Sequence, residues 1–204
     1  MIRENGVRLV HITGQHCEAT PLLKKIERPT FFHDLPKLFS FHEDAKIKAL
    51  SYEEKMAFDA IRDRYDEVGA LLKNASIGLH SYGPQLKTAF RSKSNTANAA
   101  AIWHTDAENV ISICLDGTGT EYIDGMLTPQ DVARIQGDQI LPNHVKIGQS
   151  GPGDILLMKG WWSCKQQFPK RPDRECEIGA MFHRAGSAAD RRTVLFDTIG
   201  WALK

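Results

Sequence analysis

The chain changes its hydrophobic rhythm near residue 74. Before that point apolar residues recur at helical spacing, and after it they alternate or gather in short runs between turns. Ser51-Tyr52-Glu53-Glu54 has the form of a capping box, and Phe58, Ile61, Tyr65, Val68 and Leu72 follow at steps of three and four. This predicts a helix from residue 52 to about residue 73 whose apolar stripe needs a sheet or another helix to cover it. Upstream, residues 6–12 alternate well enough for an early strand.

Downstream, strands are predicted over residues 76–82, 102–106, 110–115, 120–123, 145–147, 154–158, 178–183 and 193–199. Gly83-Pro84, the turn over residues 116–119 and Gly151-Pro152-Gly153 separate some of them. Thr128 followed by Pro129 marks one short helix ending near Gly137. Short strands at regular spacing with helices gathered at one end predict an α+β, mainly β fold. Its form is a small β-barrel or jelly roll with helical cover. Residues 1–204 are read as one domain, with 1–74 as the mostly helical support and 75–204 as the core. A doubly wound fold is disfavoured, because no glycine-rich phosphate loop opens a helix.

Composition narrows the function only by exclusion. With 26 Lys+Arg against 25 Asp+Glu the net charge is +1, which gives no electrostatic reason for nucleic acid or a membrane as partner. No apolar run is long enough to span a bilayer, and the first residues lack the pattern of a secretion signal, so a cytoplasmic location is expected. The four cysteines, Cys17, Cys114, Cys164 and Cys176, form no Cys-x-x-Cys pair, and free thiols are expected.

The chemistry rests on Trp103-His104-Thr105-Asp106 and a distant His183. Residues two apart on a strand share a face, so His104 and Asp106 can reach one cation, and His183 sits on strand-like sequence directly before a turn. Two imidazoles and a carboxylate suit iron(II) and leave further positions for reactants; zinc could take the same set. Arg191-Arg192-Thr193 opens the last predicted strand. A guanidinium presents a planar fork to a carboxylate, and alternation places Arg191 with Thr193 on one face and Arg192 with Val194 and Phe196 on the other.

The order His-x-Asp, a long interval, His, then Arg-x-Thr on the final strand resembles the double-stranded β-helix oxygenases that use iron(II) and 2-oxoglutarate. The resemblance covers roughly residues 76–200. It narrows the expected fold to a double-stranded β-helix, a jelly-roll or cupin-like barrel, with an N-terminal helical brace. It implies that His104, Asp106 and His183 bind iron and that Arg191 with Thr193 holds 2-oxoglutarate, with Arg192 as the other choice. Ser81-Tyr82-Gly83-Pro84 resembles the tyrosine-bearing strand of many members, which implies Tyr82 as a donor to co-substrate or substrate. The interval from His183 to Arg191 is shorter than is usual in the family. Retention of Asp106 disfavours halogenation, for which the family replaces that carboxylate.

The implied activity is oxidation, chiefly hydroxylation, of a small molecule or amino-acid-like substrate, with release of succinate and carbon dioxide. Two alternatives stay open: a cupin-like metalloenzyme that does not use 2-oxoglutarate, and a non-catalytic ligand-binding barrel. Lys159-Gly160-Trp161-Trp162 and residues 168–174 form an aromatic and basic stretch that could act as a lid.

Overall fold

The architecture is taken from a computed structural model that describes residues 7–41, 44–75, 77–79, 85–90, 93–94, 102–186 and 191–201. Strand β1 (Leu9–Ile12) is followed by helices α1 (Ala19–Lys25), α2 (Pro29–Phe41), α3 (Asp44–Lys48) and α4 (Tyr52–Asn74). Then come strands β2 (Ile77–Leu79), β3 (Gln85–Phe90), β4 (Lys93–Ser94), β5 (Asn109–Gly117) and β6 (Thr120–Asp124). Helix α5 (Pro129–Asp138), strands β7 (Lys146–Gln149) and β8 (Ile155–Met158), helices α6 (Trp162–Gln167) and α7 (Asp173–Glu177), and strands β9 (His183–Ala185) and β10 (Arg191–Trp201) complete the chain.

Two antiparallel sheets form a mixed α/β fold. The larger has seven strands in the order β1-β8-β5-β10-β3-β4, with β2 also paired to β10. The smaller has the order β7-β6-β9 and is extended by a single bridge between His104 and His183.

The helix expected after Ser51 forms as α4. Ser51 accepts from Glu54 N, and the Glu54 carboxylate accepts from Ser51 N, so each satisfies an amide that the helix start leaves unpaired. Its buried stripe of Phe58, Ile61, Val68 and Leu72 joins residues of α1 and α2 and one face of the large sheet in the main core. Thr128 and Asp131 make the same reciprocal cap at α5, with Pro129 at the first helical position.

The strands β1, β5, β8 and β10 of the large sheet have two differently occupied faces. On β10, Leu195 and Ile199 pack into the helix-backed core, and Tyr65 of α4 donates to Asp197 at 2.5 Å. The opposite face carries Phe196, which packs with Val110, Leu156, Met158, Met181 and Tyr122 between the two sheets. Ser112 of β5 and Thr120 of β6 join the sheets across this interior by a 2.9 Å hydroxyl contact.

Two expected strands differ. Residues 102–106 contribute only the bridge at His104. Residues 178–182 lie outside any strand, so His183 begins β9 instead of ending a strand. Ala180, Met181 and Phe182 are buried: Phe182 packs with Val132 and Ile135 of α5 and Ile123 of β6, Met181 packs with Val110, Leu156 and Met158 of the large sheet, and Ile123 N donates to Phe182 O at 3.0 Å. The expected strand over 76–82 is seen as β2 at residues 77–79, and Tyr82 lies outside the described residues.

Candidate metal centre

His104 and His183 face each other as a paired bridge, His104 N donating to His183 O at 3.0 Å and His183 N to His104 O at 2.9 Å. Directly paired residues project to one side of a sheet, which brings the rings to a centroid separation of 4.5 Å. His183 also pairs with Tyr122, whose ring packs in the cluster between the sheets, so the imidazoles lie on the interior side. Asp106 Oδ2 stands 3.2 Å from His183 Nε2. One ligand atom from each of His104, Asp106 and His183 lies within 4.8 Å of the others; His183 is buried, and the other two are half-buried.

The tautomers follow from hydrogen bonding. His104 Nδ1 lies 2.8 Å from Ile102 O, and His183 Nδ1 lies 3.1 Å from Met181 O. A carbonyl only accepts, so each Nδ1 carries hydrogen, and in the neutral ring Nε2 holds the lone pair. Backbone-fixed Nδ1–H groups of this kind orient metal-binding imidazoles. The lone pair of His183 Nε2 then faces a carboxylate oxygen at 3.2 Å, which repels unless a proton or a cation stands between them. Ligand atoms about 2.1 Å from one metal and at right angles to each other are separated by about 3 Å, so this spacing suits a shared cation. The donor set fits a borderline divalent metal such as iron(II).

The triad is held from outside its own residues. Gln139, the α5 cap in left-handed conformation (φ 57), accepts from Trp103 N at 2.6 Å and donates to Trp103 O at 3.3 Å. Trp103 is buried beneath the Arg184 guanidinium, 4.5 Å from the ring centroid, and Arg184 donates to Glu121 at 2.7 Å. On the other side Trp161 N donates to Asp106 O at 3.1 Å and Trp162 N to Ala107 O at 2.7 Å. Gly160 N donates to Asn109 Oδ1 at 3.0 Å. A Cβ on Gly160 would lie 2.1 Å from Glu108 O, so only glycine permits this approach. Sequence periodicity signals neither clasp, since both depend on segments distant along the chain. Gly160 next to two tryptophans was the one visible hint.

Beside Asp106 lies a cavity of about 310 Å³ lined by Asp106, Ala107, Glu108, Val110, Trp162 and Thr198. Val110 and Thr198 are paired neighbours on β5 and β10, so the cavity opens along the interior face of the large sheet.

Arg192 and Thr193 occupy opposite faces of β10. Thr193 pairs with Thr88, whose hydroxyl donates to Phe32 O of α2 at 2.6 Å, so Thr193 belongs to the helix-backed face and is fully buried there. By alternation Arg192 shares the interior face with Val194, Phe196 and Thr198. Of the residues expected to hold a co-substrate, Thr193 therefore lies on the helix-backed face and Arg192 on the interior face.

Arg192 is 4% exposed, and its Nε has no hydrogen-bond partner among the described residues. Burial lowers its pKa, and only partial compensation comes from Cys114 and Glu121. Burial pushes the Cys114 thiol up to about 12, so it is neutral at ordinary pH, while Glu121 already accepts from Arg184. A buried guanidinium so placed calls for an anion.

No protein-family model matches the chain, and no curated protein sequence matches it either. The reading of function therefore rests on the residues themselves.

Proposed function

We propose that this protein is a non-haem iron(II)- and 2-oxoglutarate-dependent oxygenase that oxidises a small or amino-acid-like molecule. The observation that carries the reading is the His-Asp-His set, whose ligand atoms converge with both Nδ1 groups held by backbone carbonyls. Arg192, buried on the interior face of the large sheet with its Nε unpartnered among the described residues, is the group proposed to take the far carboxylate of the co-substrate. A cupin-like enzyme without 2-oxoglutarate would leave the buried charge of Arg192 without a purpose.

The path of the chain supports a double-stranded β-helix. After β3 and β4 in the large sheet it crosses to His104 in the small one, then to β5, back to β6 and β7, then to β8, β9 and β10 in turn. This alternation between facing sheets is the habit of jelly rolls.

In this reading His104 Nε2, Asp106 and His183 Nε2 hold the metal. Iron bound there supplies oxygen activation, coupled to conversion of 2-oxoglutarate to succinate and carbon dioxide. Arg192 neutralises and orients the far carboxylate. Val194 and Phe196, on the same face, keep water from the space between the sheets. Ala107, Val110, Trp162 and Thr198 shape the cavity in which the substrate is positioned against Asp106.

The test is anaerobic loading with iron(II), followed by addition of oxygen and 2-oxoglutarate. Uptake of one iron per chain and formation of succinate are expected, both lost in His104→Ala. Succinate formation that survives in His104→Ala, or a wild-type protein that takes up no iron, would sink the proposal.

A further inference from the structure

Helices α6 and α7 form a small cap immediately after the segment that clasps Asp106 and Ala107. Each carries one cysteine. Cys164 is half-buried on α6, Cys176 is fully buried on α7, and both thiols are free. Helices α6 and α7 pack on each other, and the two thiols are close enough to interact. Charged groups gather around Cys164, with Arg171 also paired to Glu175 at 3.7 Å. Arg171 Nη1 lies 3.8 Å from Cys164 Sγ, while Lys165 donates to Arg171 O at 2.9 Å and pairs with Asp173 at 2.7 Å. The Lys165 contacts tie α6 to the start of α7.

We infer that Cys164 and Cys176 are a redox modification site, at which a peroxide converts two adjacent thiols into a reversible disulfide joining α6 to α7. The asymmetry of the pair assigns the roles. Cys164 is reachable from solvent and has a guanidinium at its sulfur, the electropositive and partly open setting in which thiols react with peroxide. Cys176 is shielded, and burial holds its thiol up at about 11, which keeps it protonated until a reactive sulfur appears beside it.

The reaction balances with hydrogen peroxide as the oxidant. Cys164 sulfur attacks one peroxide oxygen, the O–O bond breaks, and one water leaves with formation of a sulfenic acid. Cys176 sulfur then attacks Cys164 sulfur, the S–O bond breaks, and the hydroxyl leaves as a second water with the Cys176 proton. Two electrons pass from the two sulfurs to the two peroxide oxygens. Because Trp162 begins α6 and lines the cavity beside Asp106, the crosslink pins one wall of that cavity to α7. The inference needs neither iron nor 2-oxoglutarate, so its failure and that of the proposed activity are separate.

Cys17 and Cys114 provide an internal comparison, since both are buried and lie outside the cap. The full-length reduced protein is treated with hydrogen peroxide, quenched with an alkylating reagent under denaturing conditions, and mapped by peptide mass. The expected result is a Cys164–Cys176 crosslinked peptide, loss of two of the four titratable thiols, and full recovery with dithiothreitol. Cys176→Ser should leave Cys164 as a trappable sulfenic acid, and Arg171→Gln should slow loss of the Cys164 thiol. Accumulation of over-oxidised Cys164 with Cys176 still alkylatable would overturn the inference. So would oxidation of Cys17 and Cys114 at the same rate as the cap pair.

Discussion

Arg192→Met separates a structural arginine from one kept for a ligand. Methionine has a similar reach without the charge, and the site is nearly closed to solvent at 4% exposure. The buried Nε of Arg192 lacks a partner among the described residues, and such a group costs about 1–3 kcal/mol. Exchanging a buried ionic group for an apolar one of similar volume is commonly neutral, or stabilising by about 1–4 kcal/mol. In a protein of this size 1 kcal/mol moves Tm by about 2–4 °C, so relief of about 1–3 kcal/mol is expected to raise the unliganded variant by roughly 2–12 °C.

Binding should move the other way. Each charge-assisted hydrogen bond to a carboxylate is worth about 1.5–3 kcal/mol, so loss of a two-point contact weakens 2-oxoglutarate at least about 100-fold. The assay is thermal melting with and without 2-oxoglutarate at constant metal. Saturation to 100 times Kd stabilises the wild type by about 2.7 kcal/mol, whereas the variant should gain no more than about 0.4 kcal/mol at the same concentration. A variant that melts well below the wild type and still responds normally to 2-oxoglutarate would refute the argument and make Arg192 a structural strut.

Three further outcomes follow from the geometry. Gly160→Ala places a Cβ 2.1 Å from Glu108 O, so metal affinity measured by titration should fall about 10-fold or more, although residue 160 is no ligand; unchanged affinity would show that the clasp is dispensable. Burial pushes the Asp154 carboxyl up, but hydrogen bonds from Gly151 N, His11 and Gly14 N outweigh it and hold the pKa below the ordinary value. Its stabilising contribution is therefore complete above about pH 4 and is lost as pH falls through the lowered folded value, so acid melts of Asp154→Asn should lack that component. Ser51→Ala removes the oxygen that accepts from Glu54 N, and chemical denaturation should show a loss of about 1 kcal/mol; no change in midpoint would mean that Glu54 carries the cap alone.

Local signals were the legible ones. The spacing of Phe58, Ile61, Val68 and Leu72 and the caps at Ser51 and Thr128 specify α4 and α5 almost to the residue, because helix formation is governed by neighbours three and four positions away. The short distance between His104 and Asp106 along the chain marked them as partners, and His183 clusters with them in the structure. The expected strand over residues 178–183 was misread because an apolar run signals burial without saying what covers it, and here α5 and the two sheets do so.

The sequence by itself therefore determined the helical stripe, the turn positions and the identity of the clustered histidines and carboxylate. Only the tertiary structure decided which face of β10 looks inward. Alternation defines two faces, but the contact of Thr88 with Phe32 and that of Asp197 with Tyr65 assign one to the helices and leave Arg192 on the other. The clasps of Gln139 on Trp103 and of residues 160–162 on 106–109 are likewise long-range hydrogen bonds, for which no local pattern codes. Strand period is a property of one chain segment; burial is a property of whatever packs against it.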